Sequence, residues 1–188
     1  MNKLWMLIGC ALLSWNVSAL ELAGIKLVDK VQIGNENLQL NGAGVRTKLF
    51  FKIYVGALYL PQKQTSAQAV IADGRGFRMA LHMQRDLSSE KLFSAFSEAI
   101  VANHTADELV KLDASLKLMA KIFDTVKEVK SGDVITLDYL PDSGTHISVN
   151  GAAVGTIGGV AGFNQALLKI WLGNKPVQED LKKGLLGG

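Results

Sequence analysis

The order of secondary-structure signals along the chain predicts an α+β domain. Alternating and β-branched apolar segments fill the first half, two helical segments occupy the middle, and strands followed by a helix close the chain. A parallel βαβ fold would instead alternate strand and helix throughout. No internal repeat is visible and no low-complexity stretch separates one half from the other, so one domain is expected.

The N-terminal residues stand apart from that domain. Lys3 precedes an apolar run from Leu4 to Leu13, and Ser18-Ala19 provides a small-residue cleavage site. The run is well short of the roughly 20 apolar residues that a membrane-spanning helix needs. Residues 1–19 are therefore expected to be a signal peptide cleaved after Ala19, with an exported, periplasmic domain at 20–188 and no retained membrane span. Leu7-Ile8-Gly9-Cys10 offers a competing reading as a lipobox, but its apolar stretch is short for that role and apolar sequence continues beyond Cys10. Cys10 is the sole cysteine, so a mature domain would have neither disulfides nor thiolate chemistry. Loss of Lys3 takes the formal charge from +3 to +2, and no basic run marks a nucleic-acid interface.

Within the domain, residues 25–33 alternate in part through Ile25, Leu27, Val31 and Ile33, and Asn35-Glu36-Asn37 supplies turn residues. Leu38-Gln39-Leu40 follows, and Asn41-Gly42 and Gly44 read as punctuation. Residues 45–51 and 53–60 form a long stretch rich in aromatic and β-branched side chains, stopped by Pro61. Residues 77–83 alternate, with Phe77, Met79, Leu81 and Met83 pointing one way and Arg78, Ala80 and His82 the other.

Ser88 or Ser89 can cap a helix running to about Asn103, with Leu92, Phe93, Phe96 and Ile100 at helical spacing. Thr105-Ala106-Asp107-Glu108 is a capping box, in which hydroxyl and carboxylate satisfy the free amides of a helix start. The apolar face behind it (Leu109, Leu112, Leu116, Met119, Ile122, Phe123) runs to about Val126. Ser131-Gly132-Asp133 ends the helical pattern. Strands at 134–139 and 146–149 flank Pro141–Gly144, and Asn150-Gly151 is a tight turn into 152–157. A glycine-rich passage from Gly158 to Gly162 precedes a helix at 163–172, with Gly173 as its C′ residue and Pro176 beyond it. A short amphipathic tail, 177–186, closes the chain.

No established catalytic or nucleotide-binding pattern is present: no H-E-x-x-H, no G-x-S-x-G and no P-loop. Gly155-Thr156-Ile157-Gly158-Gly159 does not follow dinucleotide-binding spacing and reads as a turn and helix start packed on a sheet. No cofactor is expected. His82, His104 and His146 lie in separate elements and read as surface or cap-adjacent side chains rather than metal ligands. Arg46 is the charge of interest, because it enters an apolar strand region around Phe51, Ile53, Tyr54 and Leu58. An arginine there either pairs with an internal carboxylate or presents its planar fork to a ligand anion.

The segment Leu40-Asn41-Gly42-Ala43-Gly44-Val45-Arg46, followed by Phe51-Lys52-Ile53-Tyr54-Val55-Gly56-Ala57-Leu58-Tyr59-Leu60, resembles the core signature of chalcone isomerase-like proteins. The similarity is to their bacterial exported branch, and it extends to Lys130–Asp133 and to the ending Ile170-Trp171-Leu172-Gly173. The resemblance implies an open-faced β-sandwich, in which a large antiparallel sheet is covered on one side by helices and a ligand cleft lies between them. In the plant isomerases a cleft arginine stabilises developing negative charge. In the related plastid fatty-acid-binding proteins the matching arginine and a tyrosine hold a carboxylate. By motif position Arg46 matches the arginine and Tyr54 the tyrosine.

Two departures bear on function. The stretch from Arg46 to Tyr54 is shorter than its plant equivalent. Leu92 and Ala99 stand where the isomerases carry a tyrosine and an asparagine, so chalcone isomerase activity is not expected. The resemblance therefore implies a non-catalytic binder of a small apolar anion such as a fatty acid, with Arg46 and Tyr54 as ligand-binding residues. The alternatives are an isomerase or lyase acting on another substrate through the same pair, and an envelope interaction or assembly factor. The sequence identifies no protein partner.

Overall fold

A computed structural model describes residues 20–158 and 162–188. The expected signal peptide and Gly159 of the glycine-rich passage lie outside those residues. Eleven strands and five helices form within them: β1 (Leu20–Leu22), β2 (Ile25–Leu27), β3 (Lys30–Ile33), β4 (Glu36–Lys48), β5 (Phe51–Leu60), α1 (Ala67–Ala72), β6 (Phe77–Met83), β7 (Leu87–Ser88), α2 (Ser89–Ala102), α3 (Ala106–Val126), β8 (Glu128–Val129), β9 (Val134–Leu140), β10 (Gly144–Val149), β11 (Ala152–Ile157), α4 (Phe163–Leu172) and α5 (Glu179–Leu185). Seven strands make one antiparallel sheet in the order β11-β10-β9-β6-β5-β4-β3.

Strand parity divides the core in two. On β5, Tyr54, Leu58 and Leu60 face the helices, where Phe77, Met79, Leu167, Trp171 and Leu181 pack. Val55, Ala57 and Tyr59 face the other way, against Leu27, Leu38 and Leu40, and the short β1–β2 hairpin covers part of that side. Further along, the second face becomes polar: Thr136 bonds Ser148 at 2.6 Å, and an Arg78–Asp138 pair closes two contacts of 2.6 Å. The α+β reading holds, with helices covering one side of a curled antiparallel sheet.

The helix starts behave as their sequences require. Ser88 accepts a hydrogen bond from the Lys91 amide at the start of α2. At α3 the capping box closes both ways, the Thr105 amide donating to Glu108 at 2.7 Å and the Glu108 amide donating to the Thr105 hydroxyl at 3.3 Å. Asn150 and Gly151 both take positive φ (52° and 78°), as a two-residue hairpin turn demands. Gly173 follows α4 but takes φ −67°, so it is not a left-handed cap; the side-chain amide of Asn103 fills the place a Cβ would occupy.

Three expectations in the first half are corrected. Residues 25–33 are two strands, not one. The long apolar stretch turns back on itself at Leu49-Phe50, between β4 and β5. Asn41-Gly42 and Gly44 do not end a strand; they lie inside the 13-residue β4. Close approach explains the glycines, because a Cβ on Gly42 would fall on the carbonyl oxygen of Gly184 and one on Gly44 would meet Leu181. The backbone of α5 thus lies directly on β4. Helix α1 and strand β1 occupy segments to which sequence periodicity assigned nothing.

Candidate functional site

A bulge decides where the arginine points. Leu38 and Leu40 belong to the face away from the helices, and simple alternation would carry residues 42, 44 and 46 to that same face. The register of β4 against β5 shifts between Leu40 and Gly42. Beyond the shift Ala43 and Val45 take the outer face, leaving Gly42, Gly44 and Arg46 toward the helices. Buried Asn41 fixes the bulge: its Nδ2 donates to the carbonyls of Gln64 (3.0 Å) and Leu185 (2.7 Å), and its Oδ1 accepts from the Gln64 amide at 2.7 Å.

Arg46 then stands directly opposite Tyr54 in the β4–β5 register. Both line a cavity of about 830 Å³ between the sheet and helices α2, α3 and α4, a size within the usual range for small-molecule sites. Its walls are mostly apolar. Leu92, Phe96 and Ala99 come from α2, Met119, Ile122 and Phe123 from α3, and Leu81, Ile135 and Ile147 from the sheet. From Arg46 on β4 to Ile147 on β10 is four strand spacings, about 19 Å. The polar lining is predominantly basic, with Arg46, Lys48, Lys91 and Lys175 against Glu98.

The guanidinium of Arg46 is held by backbone and amide rather than by charge. Its Nη1 donates to the Thr47 carbonyl at 2.9 Å and to Gln178 Oε1 at 3.2 Å. Gln178 also accepts from the Thr47 amide at 2.8 Å and donates to the Val45 carbonyl at 3.3 Å. Among the described residues no carboxylate lies within ion-pair distance of Arg46. The remaining donors of the fork, Nε and Nη2, likewise bond no described residue.

Tyr54 is partly buried and keeps some accessible surface, as a cavity-lining side chain does. Trp171 Nε1 donates to its hydroxyl oxygen at 3.0 Å. Because the indole is only a donor, the phenolic proton remains to be given elsewhere. Burial pushes the Tyr54 phenol above its ordinary value, and the Trp171 bond and the Arg46 charge oppose that shift without cancelling it. Tyr54 is therefore a neutral donor beside a cation, which suits an anionic oxygen.

Sequence marks Trp171 only as part of the family's closing motif and Gln178 not at all, and neither as a site residue. Trp171 sits in an apolar helix with nothing local to mark its partner, and Gln178 meets Arg46 across 132 positions. Leu92 and Ala99 line the cavity from α2 and bring no side-chain donor to it. The histidines stay apart. His82 is half-buried and its imidazole is pushed below the ordinary value by burial. His104 Nδ1 meets the Ile100 carbonyl at 2.7 Å, and His146 contacts Ser143 and Thr156 at 2.7 and 3.2 Å. No cluster of three potential metal ligands occurs among the described residues, and none of their helices is long and apolar enough to cross a membrane.

Comparison with known proteins decides the family. The model of the chalcone isomerase-like family matches residues 19–187. The chain belongs to the chalcone isomerase-like family. No curated protein matches it by sequence at a significant level. Among solved structures it is similar to a fatty-acid binding protein of Arabidopsis thaliana, with a TM-score of 0.69 and 14% identity over 90% of this chain and 96% of the other. That likeness is one of fold, and it agrees with the helix-covered antiparallel sheet described above.

Proposed function

We propose that this protein is an exported, non-catalytic binder of a small apolar anion, a fatty acid or close analogue, in the bacterial periplasm. The observation that carries the reading is the Arg46–Tyr54 pair on the wall of a long, mostly apolar cavity. The arginine fork meets a carboxylate, the phenol donates to it, and the apolar walls bury the chain. The solved fatty-acid binding protein of the same fold supports this choice of ligand class. The apolar segment before Ala19 supports export, with processing at that residue and without lipidation of Cys10.

The test is extraction of native protein followed by mass spectrometry of the protein and of what comes off it. A mature N-terminus at Leu20 and a stoichiometric fatty acid are expected. An unprocessed or lipidated chain would sink export as stated, and absence of any acyl ligand, with no binding of added fatty acid, would sink the binder.

A second reading keeps the same pair for chemistry. A neutral tyrosine beside an arginine can protonate an enolate, as an isomerase or lyase would need. The α2 wall offers leucine and alanine rather than further donors, so the binder is preferred. Turnover of an enolisable substrate, lost in Tyr54→Phe, would reverse that preference.

A further inference from the structure

The β4–β5 hairpin ends in three consecutive apolar residues that the fold leaves largely exposed. Phe50 is 93% exposed, Leu49 82% and Phe51 52%. A lone exposed leucine needs no explanation, but two phenylalanines and a leucine at one tip form a contiguous apolar point. The loop has two residues, and its first, Leu49, takes φ +57°. Glycine, asparagine or aspartate normally fills such a position. Leucine there works against the turn and contributes no burial.

The tip is ringed by positive charge. Lys48 and Lys52 flank it on the two strands, and the Arg85 guanidinium lies 4.1 Å from the Phe51 ring centroid. The neighbouring acid, Asp86, accepts from the Ser131 amide at 2.8 Å. The same hairpin leads straight into the cavity: Lys48 and Arg46 line it, and Lys48, the last residue of β4 before the tip, is about 7 Å beyond Arg46 along the strand.

We propose that the Leu49–Phe51 tip docks the protein on an anionic lipid surface, setting the Arg46 end of the cavity against the membrane. Apolar and aromatic side chains enter the headgroup boundary, and Lys48, Lys52 and Arg85 face the anionic headgroups. Each basic side chain at such a surface strengthens association by roughly fivefold, and salt weakens it. The inference deepens the fatty-acid reading, because a carrier that meets the bilayer with its carboxylate-binding end can take or release an acyl chain there.

The experiment compares native protein with the double variant Leu49→Asn, Phe50→Ser, each with its N-terminus determined. Co-flotation uses vesicles of phosphatidylglycerol and phosphatidylethanolamine, with phosphatidylcholine vesicles as the neutral control. Wild type should bind the anionic vesicles at least tenfold better than the neutral ones, and the variant should lose at least tenfold of that binding. Fatty-acid affinity in solution should be the same in both, while transfer from vesicles should be at least tenfold slower in the variant. Equal vesicle binding by the two proteins overturns the proposal. So does a wild type that binds no vesicle but forms a dimer that the variant abolishes. If hairpin-dependent vesicle binding occurs but neither protein binds fatty acid, docking stands and the carrier reading falls.

Discussion

Arg46 and Tyr54 occupy facing positions on β4 and β5 and point into one cavity, and a third residue, Trp171, holds the Tyr54 oxygen from the helix layer at 3.0 Å. A cation and a neutral phenol are thereby fixed side by side on adjacent strands, with the rotamer of the phenol braced from above. The arrangement is set before any ligand arrives, so little side-chain entropy remains to be lost on binding.

Arg46→Ala should lower fatty-acid affinity by about 10- to 100-fold, the range for losing a charged hydrogen bond, while the thermal midpoint changes little. Arg46→Lys should recover part of the loss, since it keeps the charge without the fork. Displacement of a fluorescent fatty acid reads both. Unfolding of the alanine variant, with affinity retained in whatever stays folded, would mean that Arg46 serves only structure.

Tyr54→Phe removes the proposed ligand donor and also strands the buried Trp171 indole, whose exposure is 4%. Leaving such a donor unpaired costs about 1–3 kcal/mol. Denaturant melts should show that loss, and the added change Trp171→Phe should restore part of it, because the orphaned donor is gone. Ligand affinity should stay low in both variants.

Gly42→Ala places a Cβ on the backbone of α5 at Gly184. Overpacking of this kind costs about 1–3 kcal/mol, and α5 should lift from β4. Its N-cap residue Gln178 holds Arg46, so ligand affinity should fall together with protection of the α5 amides from hydrogen exchange. Unchanged exchange in α5 would refute the close-packing account.

His82 predicts an acid-side loss of stability. Burial depresses its folded-state value below that of the unfolded chain, so the unfolded state takes up a proton first as pH falls. The stability it contributes is complete above the unfolded value of about 6.5 and is lost as pH falls through the folded value. Wild type should weaken across that interval more steeply than His82→Gln, measured by urea midpoints. Parallel pH profiles would remove His82 as the cause.

Most elements were legible because their signals are local. The capping box at Thr105, the Ser88 cap and the Asn150-Gly151 turn each rest on hydrogen bonds or dihedral needs within a few residues. Gly42 and Gly44 misled because glycine marks both a turn and a strand that another backbone approaches closely, and only the position of α5 distinguishes them.

The sequence by itself determined the α+β class, the family motif and the two residue types at the site. It could not determine that Arg46 faces the cavity. That orientation depends on one extra residue in β4, held by Asn41 through bonds to Gln64 and to Leu185, the latter 144 positions away. Side chains alternate along a strand, so a bulge of one residue exchanges the faces of everything after it. Tertiary contacts at Asn41 make that exchange, and they turn a motif arginine into a cavity residue.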